Sequence, residues 1–555
     1  MARTPMLRAL QRLASEHAEA SARGLPVEEV RRLRRAEISR RDFLKGAGAV
    51  AAGLTLSGTL AGRALTAHAA APPRIAIIGG GISGLMAALT LQDGGYGSTI
   101  YEASSRLGGR MHSDTSSWAN GQTSEWCGEL IDTAHKTILQ MAQRFGLQTV
   151  DLLQAQPMGS QDTYFFFNKY YLQKTADGDF AQVHNVLQSQ IQAAPFPTVY
   201  NSYTTTGYQL DHLSLYDWIE QYVTGGHSSN MGQFLDVAYN IEYGRETNVQ
   251  SSLNLVYLLG FQPKPGNFSI FGKSDERYHI VGGNQQLPTA IANSLPAGSI
   301  NLNWKMTAIV NNSDGSSTLT FATPSGTHTA TFDRVILTLP FSVLRTLDYS
   351  KANFDSLKQT AITQLGYGTN SKLQLQFDAR FWNGTGAWPG VSTGNIYTDA
   401  GFQNTWDVTR GQPGTTGIIV DYTGGNIGAS YQPNGPYSGS SDPLVQQYAG
   451  NFLKQLEEVW PGATAHYNGT ATLSHPSIDP NLLGSYACWL VGQYTLFSGY
   501  EKARQPYPQG KIHFGGEHCS INFQGFMEGG AEEGARAANE ILTDYKNGLF
   551  PWCSG

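Results

Sequence analysis

The stretch from Arg74 to Arg110, RIAIIGGGISGLMAALTLQDGGYGSTIYEASSRLGGR, constrains the fold more than any other part of the chain. Arg74 to Ile78 reads as a short apolar strand, and Ile82 to Gln92 as a helix with apolar residues on one face. Gly79, Gly81 and Gly84 fall between and just inside them. In a dinucleotide-binding turn the first glycine permits the bend, the second lets a pyrophosphate approach the backbone, and the third lets the helix lie close on the sheet. The helix N-terminus then offers unpaired N–H groups and a partial positive charge to phosphate. After a second strand, Ser98 to Tyr101, Glu102 stands 18 residues past Gly84, where an acid accepts hydrogen bonds from a ribose diol. Arg106-Leu107-Gly108-Gly109-Arg110 then brings guanidinium groups and bare backbone back toward the same pyrophosphate.

Charge separates the first 70 residues from the rest. They hold 12 of the 37 Lys and Arg but 6 of the 43 Asp and Glu, so the remainder is acidic. That balance, with no basic stripe past Arg63, excludes a nucleic-acid partner. Ser39-Arg40-Arg41-Asp42-Phe43-Leu44-Lys45, a weakly apolar run from Gly46 to Gly62 and the small-residue site Ala67-His68-Ala69 match a twin-arginine export signal. The run is too short and too weakly apolar for a spanning helix, so the sequence predicts export to the periplasm or medium without stable membrane insertion. Cys127, Cys488, Cys519 and Cys553 are too few and too scattered for a disulfide scaffold or a CxxC metal site. No pair among the 13 His has HxH or HxxxH spacing, and no metal is expected.

The turn, its acid and the R-x-G-G-R segment together resemble the flavin-containing amine oxidases, the family of monoamine, polyamine and L-amino-acid oxidases. The resemblance extends along the chain. Tyr278-His279-Ile280-Val281-Gly282-Gly283 is similar to the family's apolar G-G turn, which leads to a helix and then to Asn301 to Val310, where the backbone near Met306 would meet the adenine. Asp333 to Pro340 reads as a buried strand, and KIHFGGEHCSINFQGFMEGGAEEGARAANEIL resembles the family's closing strand, G-E turn and final helix. The resemblance places Glu517 at the ribityl or pyrophosphate region, and Gly525, Phe526 and Met527 where a helix N-terminus faces the flavin.

It implies an α/β fold: a discontinuous Rossmann-like FAD-binding domain (71–150, 276–345, 486–555) and an α+β substrate domain with a mixed sheet (151–275, 346–485), after the signal region 1–70. Stretches such as Gln432 to Pro443, rich in Gly, Ser and Pro, read as surface loops.

For the chemistry, Lys372 matches the family lysine that holds a water at flavin N5. Tyr486 and Phe526 fall where the family places two aromatic rings flanking the amine; such rings exclude water and favour the neutral amine. Trp406 and Trp489 are candidate pocket walls. Ser485, not Cys488, falls nearest the cysteine that tethers flavin in monoamine oxidases, so FAD is expected to bind non-covalently. His518 and Cys519 are expected beside the cofactor. The arginine that several L-amino-acid oxidases use for the substrate carboxylate is missing from Glu125-Trp126-Cys127-Gly128-Glu129-Leu130-Ile131-Asp132, and Arg410 and Arg245 are the substitutes considered. The resulting expectation is oxidative deamination of L-amino acids to 2-oxo acids with release of ammonia and hydrogen peroxide, the partners being a small amine or amino acid and molecular oxygen. A monoamine or polyamine oxidase is the alternative, favoured by the missing arginine and the acids Glu129 and Asp132. A desaturase passing electrons to a quinone is a third reading, and a homodimer is a conceivable assembly.

Overall fold

The computed structural model describes residues 73–261, 269–270 and 272–548, which fall in one compact unit spanning residues 72–553. The export signal and Cys553 lie outside the described residues. The opening stretch folds as β1 (Ile75–Ile78), α1 (Ile82–Asp93) and β2 (Thr99–Tyr101), with β1 and β2 parallel and Ile77 opposite Ile100. Arg334–Leu337 and then Ile512–Phe514 extend the sheet beyond β1, and Ile300–Asn301 extends it beyond β2, all parallel. A parallel sheet must be covered on both faces, and β1 shows how its sequence meets that demand. Ile75 and Ile77 pack in the core of α1, while Ala76 and Ile78 join a second core that includes Met306, Leu319 and Phe321.

The two faces are covered differently. On one lie α1 and the C-terminal helix α2 (Met527–Lys546), whose Ala537 and Ile541 share a core with Leu85. A Cβ on Gly534 would fall 2.0 Å from the Ser83 carbonyl oxygen, so glycine there lets the two helices touch backbone to backbone. On the other lies a four-stranded sheet, in order Gly326–Phe332, Ser317–Thr323, Lys305–Asn311 and Asp348–Lys351.

Two local expectations are corrected, for α1 and for Gln432 to Pro443. Helix α1 is buried on nearly all sides, from Ile82 to Leu89 and at Leu91, because it is wedged between the sheet and α2 and does not float on a surface. The stretch Asn301 to Val310, which the sequence leaves without an assigned element, spans two strands in different sheets, broken at Asn303, which takes a left-handed φ of 60°. Within Gln432 to Pro443, Tyr437–Gly439 is an edge strand, since its partner Tyr467–Ser474 offers free ladder positions.

The second large sheet is eight-stranded and mixed. Its order is Tyr437–Gly439, Tyr467–Ser474, Ser371–Phe377, Gly417–Thr423, Asn404–Asp407, Ser392–Thr398, Gln161–Phe166 and Lys169–Tyr170. Strand Ser371–Phe377 is buried at every position, although it alternates polar and apolar residues. Leu373, Leu375 and Phe377 pack in a core with Phe452 and Leu456 of helix Pro443–Val459. Lys372, Gln374 and Gln376, on the opposite face, donate to backbone carbonyls of Cys127, Glu125 and Ala119. The alternation therefore reflects a covered polar face, and that face delivers Lys372 to the site.

Candidate active site

The glycine turn is built as its spacing requires. Gly79 has φ of 109°, and its N–H donates to the Tyr101 carbonyl across 2.9 Å. A Cβ on Gly84 would lie 1.9 Å from the Gly79 carbonyl oxygen, so only glycine lets α1 sit this close to the turn. A Cβ on Gly81 would meet nothing nearer than Gly109 Cα, at 3.8 Å. Gly81 caps α1 without any side-chain hydrogen bond, which leaves the helix N-terminus open to a ligand. Glu102 accepts from Gly80 N–H at 2.7 Å and from Ser104. Arg106 donates to the Gly109 carbonyl at 2.8 Å, and its guanidinium lies 5.6 Å from the Tyr437 ring centre.

This turn opens into a cavity of about 330 Å³ that runs past Glu102, Met306 and Glu517 to Lys372, Trp406 and Arg410. Glu517 is buried midway. It accepts from Arg110 at 2.8 Å, from Gly525 N–H at 2.8 Å and from Ala487 N–H at 3.2 Å. Burial alone would raise this carboxyl, but Arg110, His518 and these hydrogen bonds outweigh it and hold it below the usual carboxylate range. One acid thereby fixes three segments that are far apart in sequence.

At the far end, Lys372 Nζ donates to the Cys127 carbonyl at 2.7 Å and to Glu129 Oε2 at 2.8 Å. Trp406 Nε1 donates to the other Glu129 oxygen at 2.9 Å. Burial would raise the Glu129 carboxyl; Lys372, His279 and the hydrogen bonds more than offset it and keep the group below the ordinary range. Tyr486 also lines the cavity. Its hydroxyl lies 2.9 Å from that of Tyr422 and donates to the Glu242 carbonyl at 2.8 Å, and burial pushes it well up. Arg410 is 7 % exposed; Nε donates to the Asp407 carbonyl at 3.2 Å and Nη2 reaches Asn395 at 3.4 Å.

Residues 82–542 match the family described as flavin containing amine oxidoreductase. The chain belongs to that family. A putative L-amino-acid oxidase of Bacillus subtilis, YobN, is 26% identical over 492 residues, 85% of this chain and 95% of the relative. Polyamine oxidase 4 of Oryza sativa subsp. japonica is 24% identical, over 85% of this chain and 89% of its own length. In fold, the chain is similar to cyclohexylamine oxidase from Brevibacterium oxydans, with a TM-score of 0.70, 19% identity and coverage of 86% of this chain and 100% of that one. Residues 37–57 match the twin-arginine translocation signal.

A flavin is thus the cofactor the family implies, and the open α1 N-terminus, the bare Gly81 and the acid at Glu102 suit its phosphate and sugar portions. Among the described residues no group of three or more His, Cys, Asp or Glu is placed to hold a metal, and no helix is long and apolar enough to cross a membrane. Most residues singled out from the sequence of this amine oxidoreductase reach the cavity: Gly79, Gly81, Glu102, Arg106, Gly109 and Arg110 at one end. Met306, Glu517, Gly525, Phe526 and Met527 line its middle, and Lys372, Trp406, Arg410, Tyr486 and Ser485 the rest.

Gly84, which packs against the Gly79 carbonyl, is not among the lining residues, nor are Cys519, His518 and Trp489. Trp489, just past the short strand Ala487–Cys488, is core: its ring lies 5.1 Å from Tyr494 and 5.8 Å from Phe497, and the residue is 5 % exposed. Arg245 is not among the lining residues either. His518 is fully buried beside Phe341, and desolvation first, with Arg110 and Lys358 adding to it, brings its imidazole down to about 3. Sequence reasoning missed the partnership of Glu129 with Lys372, the Tyr422 hydroxyl and Glu276, a lining residue. Only Glu129 carried a signal, its place just after the R-x-G-G-R segment; Tyr422 and Glu276 join the site through long-range packing.

Proposed function

We propose that this amine oxidoreductase binds FAD non-covalently and oxidatively deaminates L-amino acids, consuming oxygen and water and releasing a 2-oxo acid, ammonia and hydrogen peroxide. The observation that carries the amino-acid reading is Arg410, a buried guanidinium lining the cavity with no carboxylate at ion-pair distance among the described residues. Asp162, Asp407 and Glu276 act on this guanidinium electrostatically, but none pairs with it directly, so a substrate carboxylate can take its free N–H donors. In this reading segments 71–150, 276–345 and 486–555 carry the cofactor, and 151–275 and 346–485 the substrate.

The flavin, when bound, supplies the acceptor for the hydride equivalent leaving the carbon that bears nitrogen. The chain's own residues set the conditions. Glu129 and the Cys127 carbonyl hold the Lys372 ammonium in place, where it orders water and favours negative charge nearby. Tyr486, anchored by Tyr422 and two backbone carbonyls, and Phe526 wall off the amine, which favours its neutral form. Non-covalent binding is supported by Ser485 at the tether position, donating to Asn370 at 2.6 Å, and by Cys488, fully buried outside the cavity lining with its thiol raised by burial to about 12. Acid precipitation is therefore expected to release the yellow colour into the supernatant. The match at residues 37–57 supports export of the folded protein to the periplasm or medium; replacing both Arg40 and Arg41 by lysine is expected to hold it in the cytoplasm.

The deciding experiment pairs L-amino acids with the amines obtained by removing their carboxyl group, in a peroxidase-coupled assay with and without Arg410→Met. Faster oxidation of the acids, lost in the variant, is expected. Oxidation of the amines alone supports the second reading, a monoamine or polyamine oxidase, which the Glu276 carboxyl in the cavity favours. Dye reduction without peroxide indicates the desaturase.

A further inference from the structure

Glu276 is held in a way that needs a reason. It is a non-glycine residue at φ of 43°, a conformation that L side chains rarely adopt and that persists where the surroundings impose it. The surroundings are specific. The Glu276 N–H donates to Asp132 Oδ1 at 2.9 Å. On one side Asp275 accepts from the Thr133 N–H at 2.8 Å and hydroxyl at 2.6 Å. On the other, Arg277 forms two bonds to Asp151, at 2.8 and 2.6 Å. The backbone is thus clamped before, at and after Glu276, and the side chain so aimed lines the cavity while making no hydrogen bond or ion pair among the described residues.

Arg410 lines the same cavity, also without an ion pair. Glu276 and Arg410 feel each other electrostatically yet are not within salt-bridge distance, so neither is the other's partner. Arg410, on which Asp162 and Asp407 act without pairing, and Glu276, whose side chain has no hydrogen-bond partner among the described residues, are two unpaired groups in one cavity. They suit a ligand with a carboxylate and a cation at separate points, in addition to the amine presented to Tyr486 and Lys372.

Resting on the amino-acid oxidase reading, we propose that Glu276 is a specificity-determining residue that selects dibasic L-amino acids, with Arg410 taking the carboxylate and Glu276 the side-chain cation. The electrostatic setting agrees. Burial, then Asp132, Asp162 and Glu129, raise the Glu276 carboxyl to about 8 against the opposing pull of Arg410, while the Tyr397 and Tyr422 hydroxyls face it uncharged. A carboxyl raised this far favours its protonated form near neutral pH, and a cation bound beside it releases that proton to solvent and leaves a carboxylate–ammonium pair. A neutral side chain of the same length gains nothing from the exchange.

The test uses the flavin-loaded enzyme with L-lysine, L-norleucine and cadaverine, in wild type and in Glu276→Gln. The kcat/KM for lysine is expected to exceed that for norleucine by roughly tenfold or more, and the ratio to fall to near unity in the variant. Proton release on lysine binding, read as a dependence of calorimetric heat on buffer ionisation enthalpy, is expected in wild type and lost in the variant. Lysine no better than norleucine in wild type, or a preference that survives Glu276→Gln, overturns the assignment while leaving the amino-acid reading intact. Cadaverine oxidised as well as lysine overturns the amino-acid reading itself, and this assignment with it.

Discussion

Glu129 and Lys372 meet across 243 residues of sequence, and their pairing decides what either can do. Both are more than 90 % buried as side chains, so each depends on the other for its charge. Removing one partner of such a pair strands the other, at a cost of about 3 kcal/mol, whereas removing both can be close to neutral. Lys372→Met and Glu129→Gln are each expected to lower the melting temperature, and the double variant to recover most of it. Activity is expected to behave otherwise: the oxygen-dependent return of yellow absorbance, followed by stopped flow, slows on the order of tenfold or more in Lys372→Met and does not recover in the double variant. Recovery of both properties together would remove Lys372 from the chemistry. Asp421, on the far face of strand Gly417–Thr423, is a purely structural contrast. Burial raises its carboxyl to about 7, with the Tyr431 hydroxyl donating to one oxygen at 3.0 Å. Its folded form therefore keeps a proton that the unfolded chain loses near pH 4, and the associated stability drains away as pH rises toward 7. Asp421→Asn is expected to gain on wild type between pH 5 and pH 8 by on the order of 2 kcal/mol, measured by denaturant titration at both pH values.

The glycine turn makes the element-scale case, because two of its glycines face different neighbours. Gly84→Ala would drive a methyl into the Gly79 carbonyl and force α1 off the sheet, an overpacking worth about 3 kcal/mol. Gly81→Ala finds open space within the protein but puts its methyl on the cavity side of the helix N-terminus. The first variant is expected to lose thermal stability even without flavin. The second is expected to keep the apoprotein's melting temperature and to weaken flavin binding by roughly tenfold, read by fluorescence titration. Equal loss of apoprotein stability in both would contradict the division of roles. The same element shows how far local pattern reaches. Its boundaries and its acid were legible because a β-α-β turn is a short-range arrangement of glycines, apolar residues and one carboxylate. Its full burial was not, since that depends on α2, more than 430 residues away in the chain.

At the scale of the whole molecule, the parallel sheet is completed only when Arg334–Leu337 and Ile512–Phe514 arrive beside β1. A fragment of residues 73–150 therefore lacks both strands on that side, and is expected to show no cooperative unfolding transition and no flavin uptake, while the chain of residues 73–555 shows both. A fragment that melts cooperatively would mean that the opening βαβ unit is self-sufficient.

The amino-acid sequence alone determined what depends on neighbours within a few tens of residues: the glycine turn, its acid, the R-x-G-G-R return, the export signal and, through their joint order, the family. Lys372, Tyr486 and Arg410 were legible as candidates, but nothing near them in sequence says which charge faces which. Tertiary structure decided that Lys372 is paired with Glu129, that Trp489 is core, and that Arg410 and Glu276 line one cavity without a direct ion pair among the described residues. The reason is physical: a buried charge takes its meaning from groups within a few ångströms, and in this fold those groups come from strands and loops hundreds of residues apart.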